Sequence, residues 1–121
     1  PFIIQQFIPK VKEGDKRIIL IDGEIAGAIN RLPQDGEIRS NMHVGGLPAK
    51  TEITEGDAKI CNAISQDLKD FGLFFAGIDI IDNLITEINV TSPTGIREIL
   101  QLSGIDVAKI FWDQAEKKIN N

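Results

Sequence analysis

The sequence predicts an α+β fold in which an antiparallel sheet is flanked by helices. Three observations predict it. Two pairs of apolar, strand-like runs lie at residues 17–21 with 25–30 and at 73–81 with 84–90, each pair closed by a short polar turn. A segment with helical spacing, residues 55–71, separates the pairs. Two shorter helical patterns, 95–102 and 107–119, follow the second pair, and this order is typical of a sheet with segregated helices.

Composition limits the classes of protein to consider. A chain of 121 residues can bury one modest core, so we expect a single domain. The net charge of −5 argues against a nucleic acid or an anionic membrane as partner, and no apolar run is long enough to span a bilayer. Cys61 is the only cysteine, so no intramolecular disulfide can form, and we expect a reducing, cytoplasmic compartment.

The first part of the chain predicts an edge strand and a hairpin. Residues 2–8 read as a strand that ends before Pro9. Asp22 and Gly23 are a strong signal for the turn of the next hairpin. Arg17 enters this hairpin and Arg31 leaves it, so both can lie at the same end of the sheet. Two ordinary solvated cations at strand ends are the alternative interpretation.

Residues 32–51 have little periodicity and predict a long loop. A loop of this length in a compact domain is usually a lid or a binding loop, and Gly45–Gly46 would let backbone amides approach an anion. A disordered surface insertion is the alternative. His43, the only histidine, has no base or nucleophile at a telling spacing and is interpreted as an ordinary loop residue.

The helices are predicted from their caps and spacing. Thr54 with Asp57 resembles a capping box at the start of helix 55–71, in which Cys61 takes part in packing, and Gly72 ends it. Thr94 is a candidate N-cap for the helix that begins near residue 95. Phe111 and Trp112 are expected to pack the terminal helix against the domain.

The segment from 77 to 97 carries the strongest functional pattern. Asp79, Glu87 and Asn89 share one face of the second hairpin if Asp79 lies opposite Glu87, with Ile78, Ile80, Ile88 and Val90 on the other. We expect a three-residue connection, 82–84, to set this register, since a two-residue turn would place the two carboxylates on opposite faces. Two carboxylates and an amide oxygen suit Mg²⁺. A solvated polar face is the alternative.

Two runs of the sequence resemble those of a known family. The runs IDGEIAGAINRLPQDGEIRSNMHVGG and FAGIDIIDNLITEINVTSPTGIREI closely resemble the C-terminal part of bacterial glutathione synthetases, which belong to the ATP-grasp superfamily. The resemblance covers nearly the whole chain. It implies the C-terminal part of an ATP-grasp domain and an enzyme that joins glycine to γ-glutamylcysteine, using ATP, through an acyl phosphate.

The resemblance also implies roles for single residues. Mg²⁺, or Mn²⁺ in its place, would bind Asp79, Glu87 and Asn89, and Arg17 and Arg31 would lie near the transferred phosphoryl group. Residues 32–48 would close over the reacting centre. The adenine of ATP would lie beside four residues, Gln5, Gln6, Phe7 and Ile8. Substrate contacts would come from six more, Asn41, Gly45, Gly46, Ser92, Thr94 and Gly95.

The resemblance implies a part of a larger enzyme. The two nucleotide-contacting lysines, the glycine-rich phosphate lid and the N-terminal substrate domain of the family lie upstream of the matched region. We therefore expect residues 1–121 to form one partial ATP-grasp domain that is inactive alone, within a full-length homo-oligomer. Another carboxylate–amine ligase of the superfamily, or a nucleotide- and magnesium-binding module without ligase activity, are the alternatives.

Overall fold

The computed structural model describes residues 15–32, 47–90 and 93–120. Within these residues one antiparallel sheet has the strand order β3-β2-β1-β4-β5. Its strands are Asp15–Ile21 (β1), Glu24–Leu32 (β2), Leu47–Lys50 (β3), Phe75–Ile81 (β4) and Leu84–Asn89 (β5). The helices are Glu55–Asp70 (α1), Ile96–Ser103 (α2) and Val107–Asn120 (α3). The predicted α+β class is confirmed, whereas the predicted strand 2–8 lies outside the described residues. No helix in the described part of the chain is long and apolar enough to cross a membrane.

The central strand β1 is buried on both sides because helices cover both faces of the sheet. Ile18 and Leu20 point into a core that α1 closes with Cys61 and Leu68. Ile19 and Ile21 point into a second core, which α2 and α3 close. Its four other buried residues are Ala26, Ile29, Ile99 and Val107. The alternation of a strand therefore places successive isoleucines in different cores.

Each hairpin has a two-residue turn with positive φ angles. For the second hairpin this corrects the predicted turn. Asp82 and Asn83 form a two-residue turn with φ of 51° and 62°, not the predicted three-residue connection. Asp79 still lies opposite Glu87, because a β-bulge at Thr86 inserts one extra residue and restores the face. The Thr86 hydroxyl donates to the Asp79 carbonyl oxygen at 3.3 Å. The predicted register is thus correct, and the predicted reason for it is wrong.

Helix α1 begins as the sequence predicts. The Thr54 side chain accepts from the Asp57 amide at 3.1 Å, and the Asp57 carboxylate accepts from the Thr54 amide at 2.9 Å. Cys61 is buried in the first core, and burial raises the pKa of its thiol to about 11. A thiol with this pKa is not ionised near neutral pH, so the predicted packing role of Cys61 is confirmed.

Two expectations need correction. The predicted loop 32–51 ends in strand β3, whose backbone pairs with β2 and places Pro48 opposite Arg31. Backbone pairing at a sheet edge needs no apolar alternation, so the sequence pattern missed it. Trp112 is 68% exposed and does not pack the core, unlike Phe111, which meets Phe74 edge-to-face. Ile88, on the edge strand β5, lies opposite Ile78 as predicted and is 47% exposed.

Candidate functional site

The candidate site is a row of charged side chains across three neighbouring strands. Arg17 on β1 is the cross-strand partner of Asp79 on β4, and Asp79 is the partner of Glu87 on β5. Asn89 follows on the same face, opposite Gly77. Successive side chains of a strand point to opposite faces, and Ile18, Ile78 and Ile80 point into the first core. Arg17 and Asp79, which precede or separate them, therefore point to the other face, which α2 covers. The predicted convergence of Asp79, Glu87 and Asn89 on one face is therefore observed.

Asp79 and Arg17 form a two-pronged buried ion pair. Arg17 Nε donates to Asp79 Oδ1 at 2.5 Å, and Arg17 Nη2 donates to Asp79 Oδ2 at 3.1 Å. Each residue is only 4% exposed. A fork-to-carboxylate contact of this kind fixes the planes of both groups, so Asp79 is held in one orientation.

Arg31 lies between the Asp79 carboxylate and that of Asp15 and contacts both. Its Nη2 lies 3.1 Å from Asp79 Oδ2 and 2.5 Å from Asp15 Oδ2, while its Nε donates to Asp15 Oδ1 at 3.2 Å. Burial lowers the pKa of Arg31, but the hydrogen bond to Asp15 and the charges of Asp79 and Asp15 outweigh it, so the pKa is raised. For Asp15, burial prevails over the same ion pair and raises the pKa. The guanidinium group of Arg31 therefore remains charged between Asp15 and Asp79.

Glu87 supplies the exposed end of the row. Its pKa is raised, first because its side chain is hydrogen-bonded to Asp79, then because of burial and the Asp79 charge. When Glu87 is ionised, the three carboxylates of Asp15, Asp79 and Glu87 meet two guanidinium groups, and one negative charge is in excess. A divalent cation between Asp79 and Glu87 would remove that repulsion, and the amide oxygen of Asn89 is a further hard ligand of the preferred type. The donor set thus fits Mg²⁺.

The turn before α2 lies against the same arginine. Arg17 Nη1 donates to the carbonyl oxygen of Thr94 at 3.0 Å. Gly95, not Thr94, is the N-cap of α2, with φ of 115° and no side-chain cap bond, so the predicted capping role of Thr94 is wrong. Only glycine adopts this φ without strain, and the backbone bond to Arg17 holds the turn in place of a side-chain cap.

The structure brings together seven of the predicted site residues. Arg17, Arg31, Asp79, Glu87 and Asn89 lie on neighbouring strands of one face, and Thr94 with Gly95 lies beside them. The other predicted residues, Gln5, Gln6, Phe7, Ile8, Asn41, Gly45, Gly46 and Ser92, lie outside the described residues. Within residues 15–32, 47–90 and 93–120, no group of three or more His, Cys, Asp or Glu side chains is positioned to hold a metal. An amide oxygen would have to complete the set.

The sequence interpretation missed Asp15 and Gly77. Asp15 is 2% exposed and is the cross-strand partner of Arg31. The turn at Asp22–Gly23 could have shown this, because counting back from it places residue 15 near residue 31, although the bulge at Ala26 shifts the count by one. Gly77 gave no signal, since its importance depends on Arg17 and Pro93, which approach it from other elements.

Comparison with known proteins identifies relatives of this arrangement. A family model described as "Prokaryotic glutathione synthetase, ATP-grasp domain" matches residues 1–104. The glutathione synthetase of Agrobacterium fabrum is 53% identical over 118 residues, which cover 98% of this chain and 37% of that protein. That of Prochlorococcus marinus subsp. pastoris is 56% identical over 108 residues, 89% of this chain and 35% of that protein. The chain thus spans little more than a third of the length of these relatives.

Solved structures agree on the fold. The crystal structure of D-cycloserine synthetase DcsG matches with a TM-score of 0.59 over 92% of this chain and 40% of that chain, at 16% identity. The ATP-grasp ligase PsnB, in complex with a minimal precursor, matches with a TM-score of 0.51 over 76% of this chain and 30% of that chain, at 20% identity. At such identities the likeness concerns architecture alone.

Proposed function

Since this chain belongs to the family of prokaryotic glutathione synthetase ATP-grasp domains, we propose that it forms part of an ATP-dependent ligase that makes glutathione. The observation that carries the proposal is the cross-strand row of Asp79 and Glu87 beside Arg31, in a chain about half identical to glutathione synthetases along nearly its whole length. The proposed substrates are ATP, γ-glutamylcysteine and glycine. A cytoplasmic location and assembly of the full-length enzyme into a homo-oligomer belong to the same proposal.

The reaction explains why such a row is useful. The cysteinyl carboxylate of γ-glutamylcysteine takes the γ-phosphoryl group of ATP and becomes an acyl phosphate. The glycine amine then attacks its carbonyl carbon, and phosphate leaves with the bonding electrons of the carbon–oxygen bond. Phosphoryl transfer depends on positioning and on neutralising charge rather than on covalent help from the protein. A site of fixed carboxylates and guanidinium groups supplies both.

The described residues divide these tasks. Asp79, Glu87 and Asn89 would hold Mg²⁺, or Mn²⁺ in its place, and the bound ion would neutralise negative charge on the phosphates of ATP. Arg31 is the guanidinium group nearer to solvent, with 11% of its side chain exposed against 4% for Arg17. Arg31 would therefore meet the transferred phosphoryl group, while Asp15 keeps its fork in one plane.

The remaining roles follow the family pattern. The adenine would lie beside residues 5–8, and γ-glutamylcysteine would meet the loop residues Asn41, Gly45 and Gly46 together with Ser92, Thr94 and Gly95. Residues 1–121 would form one partial ATP-grasp domain. Because an acyl phosphate is destroyed by water, closure of the segment between β2 and β3 over the reacting centre would protect the intermediate.

A chimera tests this function directly. The chain replaces the matching 118 residues of the Agrobacterium fabrum glutathione synthetase, and ADP release is measured with γ-glutamylcysteine and glycine. We expect activity that requires both substrates, and almost none in the same chimera carrying Asp79→Ala and Glu87→Ala. An exposed pair replaced in the same way, Asp67→Ala with Glu116→Ala, is the matched control and should remain active.

The outcomes separate the alternatives. ADP release with another acid or amine, but not with γ-glutamylcysteine and glycine, would identify a different carboxylate–amine ligase. A folded chimera that makes no ADP with any acceptor would contradict ligase function. Calorimetry of the chain with a nonhydrolysable ATP analogue, with and without Mg²⁺, would then show whether it binds nucleotide as a module without activity. Magnesium-dependent heat that is lost in the double variant would indicate that the cation site lies within this chain.

A further inference from the structure

Arg17 connects two parts of the candidate site that belong to different elements. Two of its nitrogens bind the Asp79 carboxylate on β4, and the third binds the carbonyl oxygen of Thr94 in the turn before α2. All three bonds leave one rigid, planar group. A change in the position of Asp79 must therefore shift Thr94, or break one of these bonds.

The side chain of Arg17 is closely surrounded by other elements. A Cβ atom on Gly77 would lie 3.2 Å from Arg17 Cδ and 2.8 Å from Cβ of Pro93. A Cβ atom on Gly95 would lie 3.7 Å from Arg17 Cγ. The side chain thus runs between two glycines, with the buried Pro93 beside it. A side chain confined in this way, and 4% exposed, is poorly placed to meet a substrate itself.

We propose that Arg17 is a positioning residue that couples occupancy of the Asp79–Glu87 cation site to the position of the Thr94–Gly95 turn. This inference rests on the proposed function, because it takes Asp79 and Glu87 as the cation ligands. It gives the two arginines different tasks, since Arg31 faces the phosphoryl group and Arg17 acts through its neighbours. This division agrees with their exposure, which is 11% for the Arg31 side chain and 4% for the Arg17 side chain.

The coupling follows from shared bonds. Asp79 has two oxygen atoms, and the guanidinium groups of Arg17 and Arg31 already use both. A cation that binds this carboxylate withdraws charge from its oxygen atoms and repels the guanidinium groups beside it, so the bonds from Arg17 weaken and its guanidinium group shifts. The guanidinium group of Arg17 also binds the Thr94 carbonyl oxygen. The Thr94–Gly95 turn, where the proposed peptide substrate binds, would therefore move with it. By linkage, a ligand that fixes the turn would favour cation binding to an equal degree.

Nuclear magnetic resonance on the full 121-residue chain can test this, with Mg²⁺ alone as the probe. The amide signals of Glu87 and Gly95 report the cation site and the turn separately. In the wild type we expect both to shift along one titration curve. In Arg17→Lys, a single ammonium keeps the charge beside Asp79 but cannot bind both Asp79 and Thr94. The Glu87 shift should persist, and the Gly95 shift should be lost. Arg97→Lys, an exposed arginine in the first turn of α2, is the matched control and should behave as the wild type.

Three results on the amide signals would overturn the inference, and they differ in whether they also refute the cation site. A Glu87 shift with a still Gly95 signal, or a Gly95 shift that survives in Arg17→Lys, would refute the coupling and leave the cation site intact. No shift of Glu87 would refute the cation site and the coupling together. If Arg17→Lys does not fold, the test uses the Nε–H signal of Arg17 in the wild type. This signal must shift along the same titration curve as the Gly95 amide, and an unmoved Nε–H signal refutes the role of Arg17.

Discussion

Replacing Asp79 by asparagine should destabilise the fold far more than its position beside a ligand site suggests. The substitution removes the carboxylate that neutralises Arg17, and both residues are 4% exposed. Breaking a buried pair by removing one partner costs about 3–5 kcal/mol. Arg31 keeps Asp15 as a partner, and the asparagine oxygen can still accept one hydrogen bond, so we expect about 3 kcal/mol, near the lower end of that range.

Thermal unfolding followed by circular dichroism measures this loss. With an unfolding entropy of about 2.1 cal/mol/K per residue, 3 kcal/mol lowers the Tm of a chain of 121 residues by about 12 °C. An exposed aspartate in α1, Asp67→Asn, is the control and should change the Tm by less than about 2 °C. A Tm for Asp79→Asn as high as that of the control would refute the reasoning, since it would mean that Arg17 needs no buried counter-charge.

The neighbouring carboxylate should behave in the opposite way. Because the folded-state pKa of Glu87 is raised above 4.5, its charged form is disfavoured in the folded protein. Its favourable contribution is present below its unfolded pKa and is lost as the pH rises through the folded one. Glu87→Gln should therefore leave the Tm at pH 7 unchanged or slightly higher. Added Mg²⁺ should raise the Tm of the wild type but of neither variant, which separates the structural role of Asp79 from its role as a ligand.

Three further predictions concern the rest of the fold. The pKa of Asp57 is lowered in the folded protein, because its bonds to Lys16 and Thr54 outweigh the effect of burial. The stability that these bonds contribute is therefore present above the unfolded pKa of 3.8 and is lost as the pH falls through the lower folded pKa. Urea midpoints of Lys16→Met measured from pH 2 to 6 should accordingly show a weaker acid dependence than those of the wild type. Thr54→Ala removes the N-cap of α1 and should cost about 1 kcal/mol by urea unfolding, and a loss below a few tenths would mean that water replaces the cap. Ile99 has no exposed surface, so Ile99→Ala should lower the free energy of unfolding by about 2–5 kcal/mol. Ile105 is 39% exposed, so the control Ile105→Ala should lower it by about 1 kcal/mol or less. Equal losses of stability would contradict the assigned core.

Local signals determined much of this protein before any tertiary contact. Helix α1 was predictable from Thr54 and Asp57, because a capping box is satisfied within four residues. The α+β class and the first hairpin were predictable for the same reason, since period and turn residues are local properties. The family resemblance lies in contiguous runs of sequence, and the family match over residues 1–104 confirms it. The facing of Asp79 and Glu87 was also predicted, although through the wrong turn.

Only the tertiary structure decided what surrounds those carboxylates. The bulge at Thr86 depends on a two-residue turn whose twist suits the strands, and that choice is made by the sheet as a whole. Strand β3 exists because β2 offers it an unpaired edge, and nothing in its own residues requires it. The position of Arg17, buried between Gly77 and Gly95, arises where three elements distant in sequence meet. Sequence patterns report the preferences of one segment, whereas burial and the sharing of a carboxylate are properties of the segments once packed together.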